Sequence, residues 1–564
     1  MMITVGKTRS LLYHYRHWRR YREILNILVK HGFSYVIENL NLPGLPLYRR
    51  LKRRFVPREE ELEAIPRRIV KVLQELGPTF IKLGQLLSTR ADLLPEAYLR
   101  EFAQLQDRVS PIPFEEVELL FLEEHGKPIG EVFRAFEPEP FASASIGQVH
   151  RAEFPEGQEV VVKIQRPGIE RIIRVDLEIL LEIGSIIEQR TALGEIYKIT
   201  EILEEFSISL REELDFTLEG RNAEVLQKNL ARDPRVYIPK VYWEYTTRRI
   251  LVMEYVRGQK ITGREELVAA GCDPLLLART LADIMIKQIY VDGFFHSDPH
   301  PGNLAVLPGN RVVFLDFGQV GRMDEELREK AADLILALVH HDLDGIVKGL
   351  LQIGILRGRP NLTRLKHDLA RLERKYYGLP FREIRVGTSV QELMEVAWRH
   401  RIQVPSDFVM AAKALVTLEG VIRELAPDMS LVEIAEPFAW RVFWRRYDPR
   451  RLQRRFWQRL AETAGSLTRL PGVVEEAARK ISRGQVSLEI EHREFPHAVG
   501  QLRKAADRLA LSIILASLLI AGAILVHLDP YSFLARIHLP ELILGLALSA
   551  SFFLLILLLV FSRS

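Results

Sequence analysis

The spacing of apolar and polar residues divides the chain into helical and strand-like regions. Residues 61–130 repeat apolar positions every three or four residues, which predicts helices, with breaks at Gly77-Pro78 and near Pro111. Residues 141–255 contain short runs rich in Val, Ile and Tyr, which are typical of strands. The predicted strands are residues 146–154, 159–165, 241–245 and 250–255, and a long helical stretch at 169–230 interrupts them.

Helical spacing returns after Gly258 and continues to about residue 435. Residues 294–318 depart from it, because they combine a loop with short apolar runs. A strand-rich part followed by a helix-rich part predicts an α+β fold.

Two apolar runs near the C-terminus add a membrane element to this picture. Residues 509–528 carry no charge, and residues 539–561 carry only Glu541. A helix of about 20 residues crosses the roughly 30 Å of apolar bilayer, so each run is long enough to span it. A turn containing Pro530 separates the runs, and together they predict a C-terminal transmembrane helical hairpin. A buried helical hairpin is the alternative, but runs that are apolar on every face favour the membrane.

Basic residues flank the two runs more heavily than the loop between them. Arg503, Lys504 and Arg508 precede the first run, and Arg563 follows the second. By the positive-inside rule, the large domain lies in the cytoplasm and the protein is a multi-pass protein of the cytoplasmic (inner) membrane.

Two further basic, aromatic stretches, at residues 1–60 and 436–504, lie either on a membrane surface or on exposed helix faces. Both interpretations stay open. The net charge of +4 gives no reason to expect nucleic-acid binding. The single cysteine, Cys272, excludes an internal disulfide.

Candidate chemistry begins with a loop of small residues that can be aligned with the kinase phosphate loop G-x-G-x-x-G-x-V. Small residues allow backbone N–H groups to approach phosphate oxygens, whereas alanine disfavours positive φ, so this loop should be stiffer than a glycine loop. A simple turn would explain the loop equally well on its own. The aligned residues are Ala142, Ser143, Ala144, Ser145, Ile146, Gly147 and Val149, of which Gly147 and Val149 match the pattern and Ala142 and Ala144 replace glycines.

Three further segments follow in the order of the kinase motifs. Lys163 follows three valines and resembles the lysine of the kinase strand V-A-I-K, which neutralises phosphate charge. Asp298 and Asn303 have the spacing of the catalytic aspartate and the magnesium-binding asparagine, and Asp316 opens a D-F-G segment that binds Mg²⁺. The four segments together predict a bilobal, protein-kinase-like fold that binds ATP and Mg²⁺.

Two histidines in the same region could be read as metal ligands. His296 and His300 have no cysteine or third histidine at ligand spacing, so structural roles are favoured over a zinc site.

The alanine loop, the run from Asp298 to Asn303 and the segment Lys82-Leu83-Gly84-Gln85 together resemble the UbiB (AarF-like) family, the atypical kinases tied to isoprenoid quinone biosynthesis. Residues 76–81 and 213–219 are also similar to that family, and the resemblance runs from about residue 60 to 435. It implies that the helix carrying Lys82 covers the active site and blocks protein substrates.

The resemblance also implies roles for individual residues. Glu219 would pair with Lys163, and both would act with Asp298 and Lys82 in catalysis. The hinge that meets adenine would include Glu254 and Val256. A regulatory pocket would contain Lys82, Gln85, Glu213 and Asp215.

The predicted organisation has six parts. They are a basic N-terminal helical segment (1–60), a helical extension with the K-x-G-Q motif (61–130), an N-lobe with a helical insertion (131–256), a C-lobe (257–435), a basic helical linker (436–504) and two transmembrane helices (505–564).

Two functions from different classes fit these predictions. The first is an atypical kinase or ATPase that hydrolyses ATP with Mg²⁺, or phosphorylates a small or lipid acceptor, in support of ubiquinone or menaquinone biosynthesis. Its partners would be membrane lipid, isoprenoid quinone precursors and quinone-biosynthesis enzymes, without nucleic acid. A small-molecule kinase of the aminoglycoside or choline type would not predict the K-x-G-Q helix.

The second function is a non-catalytic scaffold that binds nucleotide as a switch and organises biosynthetic enzymes. The alanines of the phosphate loop favour it, as does Ser297 where kinases carry arginine. The intact magnesium pair argues against it.

Overall fold

The computed structural model describes residues 17–33, 65–88, 90, 93–105, 109–191, 194, 198–261, 263–356, 361–380 and 383–445. They belong to one unit of the chain. Within these ranges, no helix combines the length and the apolar character that a membrane span requires. The predicted transmembrane helices at 505–564 and most of the predicted linker lie outside the described residues.

The helices of the described residues are α1 (residues 17–30), α2 (Ile65–Leu76), α3 (Pro78–Ser88), α4 (Glu96–Phe102), α5 (Phe114–His125), α6 (Ile129–Val132), α7 (Ile169–Arg190), α8 (Ile199–Glu213), α9 (Phe216–Leu230), α10 (Arg264–Ala269), α11 (Pro274–Lys287), α12 (Glu325–Val339), α13 (Leu343–Ile353), α14 (Leu362–Tyr376), α15 (Val386–Arg399), α16 (Ser406–Leu425) and α17 (Leu431–Arg445).

The strands are β1 (Ala135–Phe136), β2 (Ala142–Ser143), β3 (Gly147–Glu153), β4 (Glu159–Gln165), β5 (Val236–Tyr237), β6 (Ile250–Glu254), β7 (Gln259–Lys260), β8 (Phe294–His296), β9 (Leu304–Leu307), β10 (Arg311–Phe314), β11 (Val320–Arg322), β12 (Ile355–Leu356) and β13 (Ile402–Gln403).

An antiparallel sheet in the order β1-β3-β4-β6 forms the first lobe, and β2 pairs with β3 beside β1. Alternation along β4 shows how the sequence orients this sheet. Val160, Val162 and Ile164 are fully buried and pack with Phe121 of α5. Successive side chains of a strand point to opposite faces, so Lys163 faces away from that core.

The predicted long helical stretch at 169–230 is confirmed, and it is divided into three helices, α7, α8 and α9. The last break has a local cause. Asp215 precedes α9, and its Oδ1 accepts a hydrogen bond from the backbone N–H of Thr217 at 3.0 Å, which starts a new helix. This cap places Glu219 in the first turn of α9, where it is buried.

Helix α1 packs on the first lobe through its apolar face. Tyr21, Ile24 and Leu25 are buried in a cluster with residues of α2 and α3. Arg20 extends this contact to α7, because its Nε donates to Oδ1 of the fully buried Asp176 at 2.7 Å.

The predicted strand at 241–245 was wrong. Trp243–Tyr245 form a single 3₁₀ turn, and Val241 makes one isolated bridge with Met253. The segment cannot extend along β6, because the Thr247 N–H donates to Ile250 O at 2.7 Å and turns the chain back at once.

The second lobe is built around α11, whose residues Ala278, Leu281, Ile284 and Met285 are buried. Helices α16 and α17 pack against it. Short antiparallel pairs, β8 with β11 and β9 with β10, lie beside this core. The loops that carry Asp298, Asn303 and Asp316 connect these strands.

Candidate nucleotide-binding site

The loop of small residues is a tight β-hairpin between β2 and β3. Ala142 is opposite Val149, Ser143 is opposite Gln148, and the Ala144 N–H donates to Gly147 O at 2.8 Å. The turn therefore consists of Ser145 and Ile146, both buried. The Ser145 hydroxyl is buried without a hydrogen-bond partner among the described residues.

Arg166, just after β4, holds this hairpin in place. Its Nε donates to Ala144 O at 2.9 Å, and its Nη2 donates to the Ser143 hydroxyl at 2.9 Å and to Ser110 O at 2.8 Å. The stiffness expected from alanine is thus reinforced by a guanidinium that crosses the loop. Motif alignment did not identify this residue.

Opposite charges meet beneath the hairpin. Lys163 Nζ lies 2.7 Å from Glu219 Oε2, so β4 and α9 are joined by an ion pair. Burial opposes the charged form of Lys163, but the carboxylates of Glu219 and Asp316 outweigh it and raise the pKa of Lys163. The lysine is therefore a permanent cation at the site.

Asp316 is ionised as well. Burial disfavours its charge, yet the Lys163 ammonium and the Gly318 N–H, 2.8 Å from Oδ1, hold the pKa of Asp316 below its usual value. Asn222 of α9 donates to Phe317 O at 3.1 Å and ties this loop to the helix that carries Glu219.

His296 connects the loop of Asp298 to that of Asp316. Its Nδ1 accepts from the Asp298 N–H at 3.2 Å, and its Nε2 donates to Asp316 O. Burial lowers the pKa of His296, which keeps the ring neutral in this role. His300 Nδ1 accepts from the Gly302 N–H at 2.9 Å, so both histidines make structural bonds.

The residues present fit a magnesium ion. Asn303 Nδ2 donates to Asp298 O at 3.2 Å, which commits the amide nitrogen and leaves Oδ1 as its ligand atom. Together with the ionised carboxylate of Asp316 it offers oxygen donors, which Mg²⁺ prefers. No group of three or more His, Cys, Asp or Glu in the described ranges could hold a metal by itself.

The K-x-G-Q segment divides its side chains between two surfaces. The Lys82 ammonium, on α3, pairs with the Glu213 carboxylate at the end of α8. Gln85 instead donates to Leu105 O at 3.2 Å, and a Cβ at Gly84 would lie 2.3 Å from Leu105 Cδ1. Lys82 thus faces the site, whereas Gly84 and Gln85 fix α3 to the segment after α4.

The remaining residues of the predicted site make structural contacts. Asp215 caps α9 and also lies 4.0 Å from Arg248 Nε. Glu254 accepts a hydrogen bond from the Tyr237 hydroxyl at 2.7 Å, and Val256 O accepts from the Gly258 N–H at 2.9 Å.

A cation that motif alignment did not identify lies next to Asp298. Lys413 Nζ, on α16, is 3.7 Å from Asp298 Oδ2 and 3.4 Å from Gln319 Oε1. The one signal in the sequence is a lone lysine within the apolar run Met410-Ala411-Ala412-Lys413-Ala414-Leu415.

The chain is similar to known proteins over most of its length. The family described as the ABC1 atypical kinase-like domain matches residues 104–350, and the UbiB helical domain matches residues 369–430. An uncharacterized protein of Synechocystis sp. is 34% identical over 444 residues, covering 77% of this chain and 76% of that protein. A solved structure from Mycobacterium tuberculosis, a complex with erythromycin, is 24% identical with a TM-score of 0.46 and covers 67% of this chain and 96% of that one.

Two relatives carry a kinase name. The probable protein kinase UbiB of Marinobacter nauticus is 32% identical over 469 residues, covering 82% of this chain and 85% of the relative. The probable protein kinase UbiB of Xanthomonas campestris is 33% identical over 505 residues, covering 87% and 91%. These matches confirm the predicted kinase-like fold, and the chain belongs to the UbiB family of atypical kinase-like proteins.

Proposed function

We propose that this protein is an enzyme, an atypical kinase or ATPase of the phosphotransferase class, which uses ATP with Mg²⁺ at the cytoplasmic membrane in support of isoprenoid quinone biosynthesis. One observation carries the proposal. The Lys163–Glu219 ion pair is closed at 2.7 Å, and the Lys163 ammonium lowers the pKa of the Asp316 carboxylate. In protein kinases, catalysis requires this ion pair and the metal-binding aspartate together.

Each part of the site has a separate task in this proposal. Lys163 neutralises phosphate charge, and Asp298 orients the attacking water or hydroxyl by accepting its hydrogen bond. Asn303 and Asp316 would hold Mg²⁺, which supplies positive charge to the phosphate oxygens.

Nucleotide binding uses two backbone regions. The hairpin from Ala142 to Val149 offers N–H groups to phosphates, and the buried Ser145 hydroxyl gains a partner when a phosphate binds. The segment from Glu254 to Val256 offers backbone groups to adenine.

A small or lipid acceptor suits the surroundings better than a protein. The Lys82–Glu213 ion pair joins α3 to α8 close to Asp316, whose pKa Lys82 helps to lower. A cavity of about 190 Å³ in the second lobe is lined almost entirely by apolar side chains, which supports an apolar ligand. Its lining includes Leu334, Leu369, Met394, Ala412 and Leu415.

Two further observations support the membrane and quinone parts of the proposal. The predicted transmembrane hairpin at 505–564 would anchor the protein, with its large domain in the cytoplasm. The chain also belongs to the UbiB family, and the resemblance to that family implies a role in ubiquinone or menaquinone biosynthesis. Quinone precursors, membrane lipid and biosynthetic enzymes would then be its partners.

A nucleotide-switch scaffold is the second candidate. The observation that favours it is the Arg166 clamp, which occupies the Ser143 hydroxyl and stiffens the hairpin. A loop held in this way could bind nucleotide tightly and release it slowly.

Turnover of the purified full-length protein separates the two functions. ATP hydrolysis is measured with Mg²⁺, with and without anionic liposomes and a simple phenol, beside Asp316→Asn. The matched control is Asp344→Asn, an exposed aspartate on α13 that pairs with Lys366. Activity that rises with liposomes and phenol, survives in Asp344→Asn and is lost in Asp316→Asn supports the enzyme. A rate below about 10⁻⁴ s⁻¹ in every condition, with ATP still bound, favours the scaffold.

A further inference from the structure

Helix α16 brings a positive charge to the place where the two catalytic loops meet. Lys413 Nζ lies 3.7 Å from Asp298 Oδ2 and 3.4 Å from Gln319 Oε1. Gln319 follows the D-F-G segment, and its carbonyl accepts from the Ser297 N–H at 3.1 Å. Lys413 therefore contacts the loop of Asp298 and the loop of Asp316 at once.

The contacts of Lys413 are loose. A closed bond between an ammonium and a carboxylate measures about 2.7–2.9 Å, and both distances here are longer. A lysine ammonium has three donors, so this one has capacity for another acceptor. Its side chain is 30% exposed and that of Asp298 is 27% exposed, so both can be reached by a ligand.

The catalytic loop itself supplies no comparable cation. Between Asp298 and Asn303 the sequence is Pro299-His300-Pro301-Gly302, and His300 is engaged in its own turn. Lys163 lies on β4 of the first lobe, and its ammonium is already paired with the Glu219 carboxylate. Phosphoryl transfer spreads negative charge over the equatorial oxygens of the transferred group, which sits next to the nucleophile that Asp298 orients. A cation is expected on that side of the site.

The residues next to Lys413 in sequence belong to the buried side of α16. Ala411, Ala412 and Ala414 are buried, and Ala412 lines the apolar cavity of the second lobe, whereas Lys413 itself is half-buried. Lys413 therefore lies at the edge of the buried surface, where its ammonium contacts Asp298 and Gln319 and still meets solvent.

We propose that Lys413 binds the terminal phosphate of the nucleotide and stabilises the charge that develops there during transfer. It is a charge-supplying catalytic residue contributed by the UbiB helical domain. Lys413 forms and breaks no covalent bond and transfers no proton. The inference deepens the proposed function, since it rests on nucleotide binding at the same site.

Affinity for two nucleotides tests this contact without turnover. The dissociation constants of ATP and ADP, each with Mg²⁺, are measured by titration calorimetry on full-length wild type, Lys413→Met and Lys413→Arg. We expect Lys413→Met to weaken the affinity for ATP about tenfold, because one charge-assisted contact is lost. The affinity for ADP should stay within about twofold of the wild-type value. Lys413→Arg keeps a cation and should retain most of the preference for ATP.

Lys348→Met, which removes an exposed lysine from α13, is the matched control and should behave as wild type. Lys413→Gln, which keeps a polar side chain, replaces Lys413→Met if the latter fails to fold by circular dichroism. Equal changes for ATP and ADP, or no change for either, would overturn the role of Lys413.

Turnover separates this inference from the proposed function. If wild type hydrolyses ATP, kcat of Lys413→Met should fall about 100-fold, as when one donor to a transition-state charge is removed. An unchanged kcat overturns the catalytic role. If wild type shows no turnover, the proposed enzyme fails, while the ATP-to-ADP comparison still decides the phosphate contact. A wild type that binds neither nucleotide overturns both.

Discussion

Glu219 Oε2 lies 2.7 Å from Lys163 Nζ, although the two residues are 56 positions apart in the sequence. The contact joins the central strand of the first lobe to the first turn of α9. Glu219 is only 6% exposed, so the lysine is oriented from a buried position.

Replacing this glutamate should disable the site. In Glu219→Gln the ammonium loses its main counter-charge and can turn away from the phosphates, so we expect turnover to fall at least about tenfold. Steady-state ATP hydrolysis is the measurement. Glu224→Gln, on the same helix, keeps an acceptor for the Trp243 Nε1–H and serves as control. Full activity in Glu219→Gln would show that Lys163 does not need this partner.

The Lys82–Glu213 ion pair should restrain α3 over the site. Either Lys82→Met or Glu213→Gln removes the link between α3 and α8, so the amides of α3 should exchange hydrogen faster. Hydrogen–deuterium exchange with mass spectrometry measures this. The amides of α3 should exchange no faster in the double variant than in either single variant, because both substitutions break the same ion pair. Lys71→Met, at an exposed position of α2, is the control and should leave this exchange unchanged. Additive effects would mean that the two residues act separately.

Gly147 allows close approach of two strands beneath the hairpin. A Cβ at this position would lie 2.6 Å from Ile164 O and 3.4 Å from the Phe216 ring. Gly147→Ala should therefore separate β3 from β4, lower ATP affinity about tenfold and lower the thermal midpoint by several degrees, about 1–3 kcal/mol of overpacking. A Cβ added at Gly130 would have no atom within 4 Å, so Gly130→Ala is the control and should leave the thermal midpoint unchanged. Equal midpoints for the two variants would contradict the close approach.

His150 should make the protein less stable as the pH falls. Its Nδ1–H donates to Glu137 O at 2.8 Å, and its Nε2 accepts from Gln148 Nε2 at 2.9 Å. Burial disfavours the charged ring and lowers the pKa of His150, with the Glu137 carbonyl opposing this in part. The unfolded chain therefore takes up this proton first.

Stability is then fully present above about pH 6.5, the unfolded pKa of histidine, and declines below it by up to about 1.4 kcal/mol per pH unit. His150→Gln should reduce the fall in thermal midpoint between pH 7 and pH 5.5, whereas His367→Gln, at an exposed position, should not. An unchanged fall in His150→Gln would show that other groups control this region. The Gln148 amide cannot simply rotate to receive the proton, because its oxygen already accepts from the Ile112 N–H.

Part of the site could be read from local sequence. Lys163 is predictable, because alternation along one strand fixes the face to which it points. Asp298, Asn303 and Asp316 are predictable because short loops between adjacent strands hold them at fixed spacing. Their contacts depend on few residues outside the motifs.

The rest depends on packing between distant segments. Lys413 comes 94 residues after Gln319 and resembles any surface lysine until α16 is packed. Gln85 lies three residues after Lys82, which turns it by about 60° around the helix, and it faces Leu105 instead of Glu213. Residues 241–245 have the composition of a strand, but the turn at Thr247 prevents them from pairing further along β6.

The contact of Arg20 with Asp176 sets a constraint on the order of folding during synthesis. The arginine leaves the ribosome 156 residues before its partner. At about 5–20 residues per second, that interval is roughly 8–30 s. During it, the apolar face of α1 lacks part of its final partners. Helix α1 is therefore incompletely packed until α7 has been made, and a chaperone that shields its apolar face would act in this interval.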